Sequence, residues 1–131
     1  MIVVDANVLA YLLIDGVHTA AAQAQLQRDP HWHAPQLWRS ELLSVLAGEL
    51  RRSGMSWETA LEILGVAADL MLGRSHEVVA ENVLRLVRTS PCSAYDLEYV
   101  ALAMELGVPL VTMDRQLLRE FPGTAVALAQ V

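Results

Sequence analysis

Ile2-Val3-Val4-Asp5 at one end of the chain and Pro109-Leu110-Val111-Thr112-Met113-Asp114 at the other decide the fold. Each is a short apolar run closing on an aspartate. Runs of this kind predict strands covered on both faces, as in a parallel sheet. The residue just past such a strand sits on the carboxyl edge of the sheet, where open α/β folds place their ligands. Two carboxylates are thus delivered to one edge from opposite ends of the chain.

The interval between them is largely helical. Ala6 to Leu13 predicts a short helix and His18 to Arg28 a second, broken by Asp29-Pro30. His31 to Pro35 reads as a short strand or extended loop. Apolar residues at 37, 38, 42, 45, 46 and 50 form the stripe of a helix over Gln36 to Arg52, closed by Gly54. Ser56-Trp57-Glu58-Thr59 has the pattern of a capped start to a helix running to about Leu72. Gly73-Arg74-Ser75 breaks the chain, and Val78 to Val87 holds strand and helix in a proportion the pattern leaves open. Ser93 followed by Asp96 opens a helix over Ala94 to Leu106, closed by Gly107. A short helix over Arg115 to Glu120 and a last strand near Ala125 to Leu128 complete the chain. Strands alternating with helices imply an α/β fold, one domain over 1–131, with a parallel doubly wound sheet flanked by helices.

A length of 131 residues suits that single domain. The hydrophobic content of 54% is high for the size and implies an oligomer or partner interface. It does not imply a membrane, because no stretch approaches the roughly 18 uncharged apolar residues of a spanning helix. Met1 to Ile14 carries Asp5 and Asn7 and no basic leader, so no signal peptide is expected. The single cysteine, Cys92, admits no intramolecular disulfide and suits a reducing, cytoplasmic setting. A net charge of −6 argues against a general nucleic-acid coat, though not against an enzyme that grips a few phosphates through metal ions. All nine basic residues are arginine. A haloacid-dehalogenase-type phosphatase or a response-regulator receiver would lean on a lysine, and a P-loop NTPase on a glycine loop that is missing.

Two more acids can reach the same edge. Asp96 lies in the first turn of its helix, and Glu41 one turn into the helix after Pro35. Strand C-termini and helix N-termini meet at one rim of a doubly wound sheet, so all four can converge. Two carboxylates about 4 Å apart repel by about 4 kcal/mol at an effective dielectric near 20. A cluster therefore takes up protons or recruits divalent cations. Oxygen ligands without Cys or His point to Mg²⁺ or Mn²⁺ rather than Zn²⁺. Against this stands a bland account for each acid: Asp5 and Asp114 as helix caps, Asp96 as part of the Ser93 box, Glu41 as a surface residue.

The ordered set decides between them. Asp5-Ala6-Asn7-Val8-Leu9, Ser40-Glu41-Leu42, Tyr95-Asp96 with Ala101-Leu102-Ala103, and Leu110-Val111-Thr112-Met113-Asp114 with Leu117 together resemble the PIN-domain nucleases. Within that family the chain is most similar to VapC-type ribonuclease toxins. The resemblance implies Asp5, Glu41, Asp96 and Asp114 as a metal-binding quartet, with Asn7 and Thr112 orienting the carboxylates by hydrogen bonds. It implies Mg²⁺ as cofactor (Mn²⁺ as a substitute), RNA as substrate, a cognate antitoxin as partner and a homodimer. Asp-Ala-Asn at 5–7 departs mildly from the Asp-Thr-Ser often seen in relatives.

Other signals are weaker. Arg39, two residues before Glu41, and Arg115, directly after Asp114, are the arginines best placed to touch RNA phosphate. His31 and His33 share a strand face but lack a third soft ligand, so a packing or solvated role is expected. His18 and His76 carry no signal, and Cys92 reads as a bystander thiol in a loop. Trp38 and Trp57, with Ile63, Leu64, Leu70 and Met71, recur at helical spacing. That suits ordinary core or else a partner groove or dimer seam.

Overall fold

The computed structural model describes residues Met1–Val131. Five strands, β1 Ile2–Val4, β2 Trp32–Pro35, β3 Ser75–His76, β4 Leu110–Thr112 and β5 Ala125–Ala127, form one parallel sheet in the order β3-β2-β1-β4-β5. Every residue of β1 and β4 is buried. Successive strand side chains point to opposite faces, so unbroken burial requires cover on both. Seven helices flank the sheet: α1 Ala6–Leu13, α2 Thr19–Arg28, α3 Trp38–Gly48, α4 Trp57–Leu70, α5 Ala80–Val87, α6 Ala94–Leu106 and α7 Arg115–Glu120. The most central is α6, which packs on β1, β2 and β4 with α5 against it. It buries Leu97, Tyr99, Val100, Ala101, Leu102 and Ala103, as a helix apolar on nearly all sides must. On α1 converge α2, α3 and α4.

The topology positions the acids. From β1 the chain moves outward to β2 and β3, whereas β4 and β5 extend the sheet on the other side. The strand order therefore reverses between β1 and β4, and such a reversal opens a crevice beyond the carboxyl ends. Asp5 and Asp114 follow those two adjacent strands. The Asp5 N–H donates to the Val111 carbonyl at 3.0 Å, so Asp5 is itself the last rung of the ladder.

Local chemistry sets the helix ends. Ser56 and Ser93 each accept the N–H three residues on at 3.1 Å, caps worth about 1 kcal/mol apiece. Gly107 at φ 67° closes α6 in the left-handed region. The helix expected over Gln36 to Arg52 is divided: α3 ends at Gly48, and Glu49–Ser53 continue as a π-helical turn. The Arg52 guanidinium lies over Gly48 where a Cβ would stand, so the wider turn and the absent side chain go together.

The strand expected within Val78 to Val87 lies earlier, at Ser75–His76, and Ala80–Val87 is helical. Backbone pairing to Ala34 and Pro35 makes this edge strand, with no apolar run to announce it. The tryptophan stripe also divides. Trp38, Ile63 and Met71 enter the core, whereas Trp57 is 63% exposed, Leu61 stands exposed one turn along the same side of α4, and Leu72 is exposed in the turn that follows it. His33 Nδ1 and His76 Nε2 meet at 2.8 Å across β2 and β3, a pairing of histidines far apart in sequence.

Candidate functional site

Asp5 ends β1 and opens α1, yet its side chain does not cap that helix. Its Oδ2 instead accepts the Thr112 hydroxyl from β4 at 2.7 Å. Thr112 Oγ1 accepts the Asp114 N–H at 3.0 Å, which leaves its own proton for Asp5. Asp114 does cap: its Oδ1 accepts the Leu117 N–H at 3.0 Å and fixes the start of α7. In the first turn of α6, the Asp96 N–H donates to Ser93 Oγ. Glu41, in the first turn of α3, accepts the Tyr99 hydroxyl on Oε1 at 2.7 Å.

The four carboxylates feel one another. Burial pushes Asp5 up to about 6, with Asp96 and Glu41 adding to the rise and the Thr112 hydroxyl and Asn7 amide opposing it. Asp96 is raised by burial and then by Asp114, against the Ser93 hydroxyl. Repulsion therefore runs from Glu41 through Asp5 and Asp96 to Asp114. A fifth acid, Glu98, is raised by burial and by Glu41. Tyr99 is driven far above the ordinary phenol range by burial and by Glu41, so its hydroxyl keeps the proton it donates to Glu41. The ion pairs of the chain, Met1–Asp29, His31–Asp29 and Arg85–Glu81, involve none of these acids.

The donor set fits a hard cation. It offers carboxylate oxygens alone, and no three His, Cys, Asp or Glu side chains close on a common point at ligand distance. One ion would thus take one or two carboxylates and keep several waters, the habit of Mg²⁺ and Mn²⁺ rather than of a Zn²⁺ or Ca²⁺ cage.

The profile of the PIN domain family matches residues 2–122. The chain belongs to the PIN domain family. It is 29% identical over 124 residues to Ribonuclease VapC3 of Pyrobaculum aerophilum, covering 92% of this chain and 95% of that protein. A Pyrobaculum aerophilum crystal structure superposes with a TM-score of 0.76 at 25% identity, covering 96% of this chain and 89% of that one. A toxin–antitoxin complex from Klebsiella pneumoniae gives 0.68 at 15% identity with full coverage of both chains. FitAcB from Neisseria gonorrhoeae gives 0.62 at 17%, covering 95% and 96%. At those identities the last two show likeness of fold alone.

Within this PIN domain, the Thr112 hydroxyl donates to Asp5 Oδ2 from the end of β4. Asn7 is exposed in the first turn of α1, and its backbone N–H faces Asp5. Arg39 and Arg115 are exposed and make no ion pair. Glu98 and Tyr99 were not legible as site residues. The available signal for Tyr99 is a phenol inside a helix buried nearly all round, since such a hydroxyl must find a partner.

Proposed function

We propose that this PIN domain is an endoribonuclease dependent on Mg²⁺, with Mn²⁺ as an alternative ion, and the toxin of a toxin–antitoxin pair. One observation carries the reading: β1 and β4 lie side by side and deliver Asp5 and Asp114 to one edge, joined through the buried Thr112 hydroxyl, with Asp96 and Glu41 near enough to raise Asp5 and no ion pair on any of the four. Such a set calls for a cation from outside. Similarity to a ribonuclease over nearly the whole chain supports phosphodiester chemistry on RNA.

In this reading Asp5, Glu41, Asp96 and Asp114 would hold the metal, an ion taking one or two of them directly and the others through its waters. When bound, it would supply a Lewis acid for the scissile phosphate and a lowered pKa for the attacking water. Thr112 keeps Asp5 oriented, and the Leu117 N–H holds one Asp114 oxygen and leaves the other without a protein donor. Glu41 or Asp114, acting through a water, accepts the proton of the attacking water as its oxygen bonds to phosphorus. The P–O3′ bond breaks, the departing 3′-oxygen takes a proton from solvent to become a hydroxyl, and the downstream product keeps a 5′-phosphate. Arg39 and Arg115 meet neighbouring phosphates. No helix is long and apolar enough to cross a membrane, and the proposed compartment is the cytoplasm. The exposed Trp57, Leu61 and Leu72 supply apolar surface for a homodimer or a cognate antitoxin.

Cleavage of total RNA with Mg²⁺, with EDTA, and by Asp5→Asn and Asp96→Asn proteins tests this. Metal-dependent cutting at discrete sites, lost in both variants, is the expected result. Equal residual cutting by wild type and variants would remove the nuclease reading and leave an RNA- or partner-binding PIN domain. Cutting with no neighbouring antitoxin gene would leave an RNA-processing nuclease.

A further inference from the structure

We propose that Tyr99 is a positioning residue of the acidic site: its buried hydroxyl ties one oxygen of Glu41 and turns the other toward the metal-binding rim. The proposal rests on the nuclease reading above. Tyr99 is fully buried in the middle of α6, and its hydroxyl donates to Glu41 Oε1 at 2.7 Å across 58 positions of chain. A hydrogen bond to an ionised acceptor at this distance is of the charge-assisted, strong kind. A satisfied phenol needs only some acceptor, and backbone carbonyls serve that purpose in most cores. Here the acceptor is one of the four acids of the rim.

Glu41 has few other restraints. It is half-buried near the start of α3, forms no ion pair, and makes no other side-chain hydrogen bond. A glutamate side chain left free has three rotatable bonds and a large rotamer entropy to lose on binding an ion. Each of its neighbours is already braced. Asp5 has the Thr112 hydroxyl, Asp114 has the Leu117 N–H, and Asp96 stands beside the Ser93 hydroxyl. Tyr99 gives Glu41 the equivalent hold.

The placement on α6 adds a second consequence. Asp96 and Tyr99 are three residues apart, so they project from neighbouring positions on one side of the helix. One buried helix thus sets two acids, Asp96 directly and Glu41 through the phenol. Glu41 is fixed relative to Asp96 although the two lie on different helices. Partners behind metal ligands of this type typically govern affinity by ten- to a hundredfold.

The test compares wild type, Tyr99→Phe, Glu41→Gln and the double variant. Mn²⁺ binding without RNA is followed by loss of the free-ion electron paramagnetic resonance signal, and RNA cleavage is followed against Mg²⁺ concentration. Tyr99→Phe should weaken Mn²⁺ binding by about tenfold and raise the Mg²⁺ requirement for cleavage in parallel. RNA binding in EDTA should not change. In the Glu41→Gln background, Tyr99→Phe should add nothing further. Unchanged Mn²⁺ affinity in folded Tyr99→Phe, or an equal loss in both backgrounds, overturns the role. Should Tyr99→Phe fail to fold, 3-fluorotyrosine incorporated at position 99, which keeps the shape and alters the donor, must change Mn²⁺ affinity in the wild-type background and not in Glu41→Gln, or the role is overturned. A wild type that neither binds Mn²⁺ nor cuts RNA removes the nuclease reading and this inference with it.

Discussion

The Thr112 hydroxyl joins two acids, donating to Asp5 Oδ2 at 2.7 Å while accepting the Asp114 N–H at 3.0 Å. It is fully buried, so neither bond can be handed over to water. Thr112→Val keeps the shape and the strand preference of β4 but leaves Asp114 N–H without an acceptor and takes from Asp5 its hydroxyl donor. A loss of about 1–3 kcal/mol in unfolding free energy is expected. Cleavage should fall by at least about tenfold, as the carboxylate loses its fixed orientation. Thr112→Ser keeps the hydroxyl and should retain most of both. Urea unfolding and initial cleavage rates on the three proteins check this.

Asp5 makes stability depend on pH in an unusual direction. Its folded-state value of about 6 lies above the ordinary 3.8, so the folded protein holds this proton more tightly than the unfolded chain. Stability should therefore fall as pH rises from about 4 to about 6, then level off. The shift corresponds to on the order of 3 kcal/mol. Asp5→Asn removes the buried charge while keeping an acceptor for Thr112. It should be more stable than wild type at pH 7.5, show a flatter profile between pH 4 and 6, and cut no RNA. An Asn variant less stable than wild type at pH 7.5 would contradict the account.

How much of this was legible depends on the signal each residue carries. Asp5 and Asp114 announce themselves because β1 and β4 are apolar runs that end in a carboxylate. Asp96 is marked by Ser93, three residues before it. Glu41 has no local mark and enters the site only through the ordered resemblance. The hydroxyl that holds it, Tyr99, is 58 positions away, and no periodicity links residues at that distance. Ser75–His76 was missed because two polar residues have no period at all. Trp57 and Ile63 both lie in the helix predicted from Ser56 to about Leu72, yet one is open and the other buried. Hydrophobic spacing defines a helical face without saying whether the molecule covers all of it.

A divalent cation should reverse the effect of Asp5 on stability. It binds the ionised carboxylates, so it stabilises the folded state by an amount set by its concentration relative to its dissociation constant, about 2.7 kcal/mol at a hundredfold excess. Saturating MgCl₂ should raise the melting midpoint of wild type at pH 7.5, and EDTA should return it while abolishing cleavage. Asp5→Asn should respond much less. Equal shifts in both proteins would place the ion elsewhere on the surface.

Arg39 and Arg115 flank Glu41 and Asp114 and are both exposed and unpaired, so substituting them should leave the fold alone. In a chain with a net charge of −6 and no lysine, few cations are available to RNA phosphates, and each one lost should be felt. A single phosphate contact to single-stranded RNA contributes about 0.7 to the slope of log affinity against log salt. Arg115→Ala should weaken RNA binding across sequences and reduce that slope by about this amount, with a raised KM and a nearly unchanged kcat. Arg39→Ala should act in the same direction, and the double variant additively, because the two arginines belong to different elements. A variant with the wild-type salt slope would show that its arginine does not meet the phosphate backbone.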